Sequence, residues 1–354
     1  MSESLQVALV YSSKKKARKV LGGAGPDGGD ARADRPSDLL VEYDGDKTIA
    51  AVAGALARRF RVTLVEADDR AYSRLKRNRP DLVFNISEGF HGPNREAHIP
   101  IICEMLGLAY TGSDGLTLGI CLDKARAKEI LAFNGIPTPA FAVCADPRRL
   151  HHGNRLPVPA IVKPLREGSS KGIRNDSVVL KRSDLRSRVN AVIMQYHQPA
   201  LVEEFLPGRE FTAGVFGNAP DFEILPLIEI NHKSLPPHAN PIYSYEAKWV
   251  WDLPERPLDI LVCPARVPPR LRAQIHAIVK RALTVLGVRD WCRVDLRLDS
   301  AGHPKIIELN PLPGIAPDPR DNSALPAAAR AAGYSYHELI LRVAQAAIQR
   351  QDIR

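Results

Sequence analysis

Three oxygen-bearing side chains near the end of the chain have the types and spacing for chemistry. The stretch "IIELNPLPG" (306–314) follows "WCRVDLRLD" (291–299) across a short turn at residues 300–302. Side chains alternate faces along a strand, so Glu308 and Asn310 share a face, as do Arg293, Asp295 and Arg297 on the preceding run. If the two runs pair, Asp295, Glu308 and Asn310 form an all-oxygen set suited to a hard cation such as Mg2+ held against phosphates. The alternative is an ion pair of the carboxylates with Arg293 or Arg297. Two carboxylates and an amide on one face are costly to bury without a cation, which favours the metal.

Two other stretches could serve the same chemistry. In "EGSSKG" (167–172), after "IVKP" (161–164), small residues would let backbone N–H groups approach an anion, and Lys163 and Lys171 add positive charge. The Walker pattern and the GxGxxG fingerprint are both absent, so the loop alone is weak evidence. In "VEEFLPGRE" (202–210) an apolar strand ends in Glu203-Glu204-Phe205-Leu206, which could meet a flat heterocycle, with Glu210 accepting from ribose hydroxyls. A strand edge with solvated carboxylates explains that stretch equally well.

The elements that would position these groups follow from hydrophobic periodicity. Apolar runs at 5–11, 61–67 and 81–87 alternate with a helical stripe at 46–60 and a helix at 96–107, which predicts a parallel α/β sheet. Residues 21–38, rich in Gly, Pro and Asp, predict a long mobile loop. A helix at 123–135, capped by Asp123 and ended by Gly135, leads to a strand at 158–164 and the loop 165–172. Residues 199–217 read as strand, turn, strand, and 222–230 as a further strand. A polar loop holds "YSYEAKWVW" (243–251), and helices are predicted at 270–286 and 334–350. The fold class is therefore α/β and α+β, with an N-terminal parallel α/β domain.

Bulk composition is that of a globular protein: 354 residues, 45% hydrophobic and 25% charged, enough for two or three domains. No apolar run approaches the roughly 18 residues of a membrane span. The short N-terminal apolar stretch precedes its basic cluster, the reverse of a secretory signal, so a cytoplasmic location is expected. Five scattered cysteines without a CxxC pair argue for free thiols rather than disulfides or zinc. The net charge of +9 concentrates at 14–19 and 74–79, but only 6% of residues are aromatic and none interleaves with these clusters. Solvated faces and loop ends are favoured over a nucleic-acid surface.

The stretches "HGPNREAHIPIICEMLGLAYTGSDGLTLGICLDKARAK", "GIPTPAF", "IVKPLREGSSKG", "LVEEFLPGREFT", "YEAKW", "CRVDLRLD" and "IIELNPLPG" occur in the order that one family prescribes. In them the sequence resembles the ATP-grasp superfamily, and within it the D-alanine–D-alanine ligases, from about Asn85 onward. The resemblance implies a three-domain ATP-grasp fold, with domains at 1–117, 118–203 (carrying the phosphate lid) and 204–354 (carrying the metal site). It implies an ATP-dependent, ADP-forming carboxylate–amine ligase acting on amino acids or small peptides, and it allows a homodimer. Lys124, Lys163 and Lys248 would contact ATP phosphates, with Ser169 and Ser170 on the lid. Glu203 would meet the adenine amino group, with Phe205 beside it. The Leu206 backbone would meet a ring nitrogen, and Glu210 the ribose. Asp295, Glu308 and Asn310 would hold two Mg2+, with Mn2+ able to substitute. Arg293 and the Gly314 N–H would stabilise a tetrahedral oxyanion, with Ser169 counted among the catalytic groups.

The family pattern fails on the first-substrate side. The family's Gly-Gly-x-Ser-x-Glu element is replaced by "SSKKKARK" (12–19), with no glutamate between the first strand and Glu42. A cationic stretch there would repel an ammonium and attract an anion. Trp249 stands where the family has a tyrosine, and it cannot supply a phenolic hydroxyl. Ser323-Ala324 only approaches the family's acceptor-side Ser-Leu. Lys14, Tyr245, Trp249 and Ser323 are the candidate substrate residues, and an altered donor with an extra acidic group is expected. The rival readings are an authentic D-alanine–D-alanine ligase and a silent nucleotide-binding protein. His91 and His98 read as ordinary loop and helix positions.

Overall fold

The computed structural model describes residues 4–21, 36–149, 158–253 and 255–353. Most of the stretch predicted as a mobile loop, 22–35, lies outside the described residues. The described residues form three sheets. The first is parallel, with Gln6–Tyr11 between Arg61–Glu66 and Leu82–Asn85. Its middle strand runs as unbroken Val7-Ala8-Leu9-Val10, the pattern of a strand buried on both faces. The helices Asp46–Leu56 and Tyr336–Arg350 pack together in the largest core cluster, so the last helix closes back over the N-terminal unit.

The second sheet is antiparallel, in the order Phe141–Cys144, Ala200–Glu204, Ala160–Pro164, Val178–Val179. The Arg182–Tyr196 helix, unmarked by the sequence reading, covers it through Leu185, Val189 and Val192. The third sheet holds Glu210–Phe216, Ile228–Ile230, Leu261–Val262, Trp291–Leu298 and Pro304–Asn310, with Glu223–Ile224 beside Glu210–Phe216. Asp123 caps the Lys124–Phe133 helix by accepting from Arg126 N, as the sequence predicts.

Local differences from the sequence reading have physical causes. The strands at 200–204 and 210–216 join different sheets, because Gly208 crosses against the Leu298 backbone where a Cβ would collide. The 222–230 run breaks at Pro226, which has no N–H for a ladder. The basic stretch after the first strand is a helix, Lys14–Leu21, that buries Ala17, exposes Lys15, Arg18 and Lys19 and half-buries Lys14 and Lys16. "AKWVW" (247–251) is no loop but a π turn, a form that recurs at functional sites. All five cysteines are free thiols, and no described helix is long and apolar enough to cross a membrane.

Candidate active site

The Trp291–Leu298 and Pro304–Asn310 strands pair antiparallel, with Asp295 opposite Glu308 and Arg293 opposite Asn310. Alternation thus brings the three oxygen donors to one face, and a bulge between Asp295 and Leu296 bends the strand beside them. Both the ion pairs and the oxygen set are present. Arg293 lies 3.0 Å from Asp295 and 3.5 Å from Glu308, and Lys124 lies 3.3 Å from Glu308. Thr212 Oγ1 donates to Asp295 at 2.7 Å, and Asn310 Oδ1 accepts from Leu312 N at 3.1 Å. Burial pushes the Glu308 carboxyl up, but Lys124, Lys163 and Arg293 outweigh it and hold it at about 2. Two facing half-buried carboxylates and an amide supply only hard oxygen donors, which fits Mg2+ or Mn2+.

Asp295 and Glu308 line a cleft between the second and third sheets, together with Lys163, Lys248 and the lid. Lys163 lies 2.8 Å from Glu203, and Lys128, which the sequence reading passed over, lies 3.0 Å from the same carboxylate. Glu203 therefore spends its carboxylate on two buried ammoniums instead of leaving it free for a heterocycle amine. Its backbone, with Phe205 and Leu206, remains at the cleft wall. Glu210 lies 3.1 Å from both Arg297 and His232, and Arg297 also stacks 4.8 Å above the Phe205 ring. Lys248 is half-buried, and its side chain has no hydrogen bond or salt bridge among the described residues. Desolvation, then the charge of Arg293, lowers its pKa to about 8. A lysine left so exposed to its own desolvation is suited to an incoming phosphate.

The lid, residues 165–172, carries two consecutive non-glycine residues with left-handed backbone, Ser169 at φ 49° and Ser170 at φ 61°. Such strain persists only when the surroundings fix it. Ser170 Oγ donates to Tyr243 O at 2.9 Å, and Trp249 Nε1 donates to Ser169 O at 3.2 Å. From the N-terminal unit, Asp38 accepts from Gly172 N at 2.9 Å and from Tyr196 Oη at 2.8 Å. Glu42 accepts from Gly168 N at 2.5 Å. Ser169 and Ser170 are thus bracketed by two backbone N–H groups tied to carboxylates of the 36–45 segment.

Glu42, the first glutamate after the opening strand, is brought to the lid from the N-terminal unit. It is buried beside Arg95 at 2.9 Å and Lys171 at 3.5 Å, and it faces a second cavity of roughly 470 Å³. Burial raises its pKa, but Arg95 and Lys171 overcome this and hold it at about 2. Arg95 also reaches Arg166 O at 2.9 Å and Glu167 at 3.3 Å, tying the N-terminal unit to the lid. The only sequence signal for Glu42 was its being the first glutamate after the opening strand. Nothing in the sequence marked Arg95, Asp38 or Lys128. Lys14, Trp249, Asn310, Gly314 and Ser323 line this second cavity; Tyr245 lines neither. Tyr245 instead lies under Arg174, whose guanidinium is 5.2 Å from its ring. Ser323 Oγ donates to Gly314 O at 2.9 Å.

A lysine-rich cleft backed by carboxylates, between two sheets and under a small-residue lid, defines an ATP-grasp ligase. The comparisons narrow the class. The D-ala D-ala ligase C-terminus family matches residues 130–345. The D-alanine–D-alanine ligase of Pelotomaculum thermopropionicum is 31% identical over 318 residues, spanning 87% of this chain and 93% of that protein. That of Bordetella pertussis is 35% identical over 241 residues, 68% of this chain and 70% of that protein. An uncharacterised Sinorhizobium fredii protein is 35% identical over 260 residues, 73% of this chain and 72% of its own. The solved D-alanine–D-alanine ligase of Bacillus anthracis complexed with ATP has the same fold, with a TM-score of 0.71 over 98% of this chain and 99% of that one, at 20% identity. The chain belongs to the D-alanine–D-alanine ligase family, and its activity class is that of an ATP-dependent, ADP-forming ligase.

Proposed function

We propose that the enzyme joins a carboxylate donor to an amine acceptor through an acyl phosphate, and that the donor is an amino acid whose ammonium faces Glu42. The observation that carries this reading is the junction of the two cavities. Gly168, Ser169, Lys248, Gly314, Asn322 and Ser323 line both. A nucleotide in the cleft and a donor in the second cavity would meet there, beneath the lid.

The residues then take complementary roles. A carboxylate is a poor acyl donor; accepting the γ-phosphoryl group turns it into an acyl phosphate and releases ADP. The amine adds to that carbonyl and phosphate leaves, forming the amide. Lys124, Lys163 and Lys248 hold the phosphates. Asp295, Glu308 and Asn310 are the residues that would hold Mg2+, which when bound neutralises charge on the phosphoryl oxygens. Arg293 and the Gly314 N–H act on the oxyanion, where one donor is worth about 3 kcal/mol. The closed lid excludes water, which would otherwise hydrolyse the intermediate. The indole N–H of Trp249 supports the lid through the Ser169 carbonyl in place of a phenolic hydroxyl.

Glu42 shifts the donor expectation from an acid toward an ammonium-bearing molecule, and this reading places the enzyme in the cytoplasm beside its ATP. D-alanine as both donor and acceptor, named for the relatives, is the reference pair. The test is ADP release and product mass across a panel of D- and L-amino acids and dipeptides with Mg-ATP. ADP stoichiometric with an amide product is expected. ATP binding with no turnover on any pair would overturn the ligase reading.

A further inference from the structure

The second cavity is lined in part by carboxylates that no side chain among the described residues pairs. Glu42, Asp44, Glu88 and Glu96 line it from four separate places: the loop after Asp38, the turn before the Asp46–Leu56 helix, the loop after Leu82–Asn85, and the 3-10 turn Arg95–Ala97. Glu42 has Arg95 and Lys171 for company. The other three side chains have no hydrogen bond or salt bridge among the described residues. Glu96 is the decisive one: only 8% exposed, unpartnered, and facing the cavity.

The electrostatics point the same way. Burial, then the neighbouring carboxylates Glu96 and Glu42, push Glu88 well above the usual carboxylate range. Burial lifts Glu96 to about 7 against the pull of Arg95, and it lifts Asp44 to about 7 with only Lys14 opposing. Asp46, Asp252 and Asp321 and the cations Lys14, Lys47, Lys248 and Arg320 also line the cavity. Arg95, Lys171 and Lys124 flank it, yet among the described residues none of these cations forms an ion pair with Glu88 or Glu96. Uncompensated buried carboxylates are costly, and a bound cation removes that cost. An α-ammonium facing Glu42 leaves Glu88 and Glu96 without a partner, and a second cationic group on the donor would supply one.

We propose that this cavity selects a donor amino acid carrying a second positive charge, a diamino acid, with Glu42 taking the α-ammonium and Glu88 and Glu96 taking the side-chain cation. This rests on the ligase reading above and narrows its substrate class. The acidic donor suggested by the 14–19 stretch loses its basis, because Lys14 is the single member of that stretch lining the cavity.

Binding separates this proposal from turnover and needs no acceptor. The full-length protein, saturated with a non-hydrolysable ATP analogue and Mg2+, is titrated calorimetrically with alanine, 2,4-diaminobutyrate, ornithine, lysine and glutamate of both chiralities. At least one diamino acid is expected to bind tenfold or more tighter than alanine of the same hand, with glutamate weakest. Glu88→Gln and Glu96→Gln should each shrink that ratio, with analogue binding reporting that the variants are folded. Equal binding of alanine and the diamino acids, or tighter glutamate, overturns the proposal and leaves the ligase reading standing. No amino acid binding to the analogue-loaded protein counts against both. An unchanged ratio in both variants also overturns it, because the preference then arises elsewhere.

Discussion

The nucleotide cleft and the donor cavity share a lid but treat charge in opposite ways. In the cleft every carboxylate has a cation: Glu203 sits between two lysines, Glu210 faces Arg297, and Asp295 and Glu308 face Arg293 and Lys124. Its unmatched member is a cation, Lys248. In the donor cavity Glu88, Glu96 and Asp44 have no ion pair among the described residues, beside Lys14, Lys47 and the shared Lys248. Each region keeps groups without a partner for the ligand proposed there: Lys248 for phosphates, Glu88 and Glu96 for ammoniums. Removing a matched partner should therefore damage both the fold and the chemistry of the cleft. Removing an unmatched group should change affinity more than stability.

The largest effect should come from the matched carboxylates. Glu308→Gln keeps the shape but removes one anionic oxygen donor and leaves Lys124 and Arg293 with less to hold. ADP formation should fall by a hundredfold or more, the scale of losing one preorganised electrostatic contact in a dry site. Magnesium titration of activity should shift to higher concentration. Steady-state ADP release measured against Mg2+ concentration checks both. A variant with unaltered magnesium dependence would remove Glu308 from the metal set.

Lys248 supplies an intermediate effect with a definite sign. Its pKa of about 8 in the free protein lies below the usual 10.5 because burial and Arg293 disfavour the charged form. Phosphates bind that charged form, so kcat/KM for ATP should be flat below about pH 8. It should then fall about tenfold per pH unit above that, because kcat/KM reports the free enzyme. Lys248→Met should abolish this alkaline limb while lowering the plateau. A pH profile of kcat/KM in both proteins decides the point.

The two regions also differed in how far the sequence disclosed them. The metal hairpin was legible because strand alternation is local: Asp295 and Glu308 face one another through a register set within twenty residues. The lid and the lysines before it were legible for the same reason, as a loop following a strand. Glu203 was legible as a residue of the cleft but not in its pairing, because Lys128 lies on a helix far away in sequence. The donor cavity is assembled almost wholly from long-range contacts. Glu42 meets Gly168 across 126 positions, and Arg95 meets Arg166 across 71. Neither pairing leaves a periodic trace. The basic 14–19 stretch misled because helix formation turned most of its charge outward, and Tyr245 misled because the π turn carries Lys248 and Trp249 inward instead.

The smallest expected effect tests the shared lid. Trp249→Phe keeps an aromatic ring beside Lys248 but deletes the indole N–H that donates to Ser169 O. A typical net hydrogen bond is worth about 1 kcal/mol, which corresponds to roughly fivefold in lid closure. Asp38, Glu42 and Ser170 still hold the loop, so closure should weaken rather than fail. The apparent KM for ATP should rise a few-fold. Because the lid covers the junction, the donor KM should rise by a similar factor. Exchange of the Lys171 N–H, which donates to Gly168 O inside the lid, should quicken in parallel. A rise in the ATP KM alone would mean that the indole serves the cleft rather than the lid. The two regions would then be coupled only through the carboxylates of the 36–45 segment.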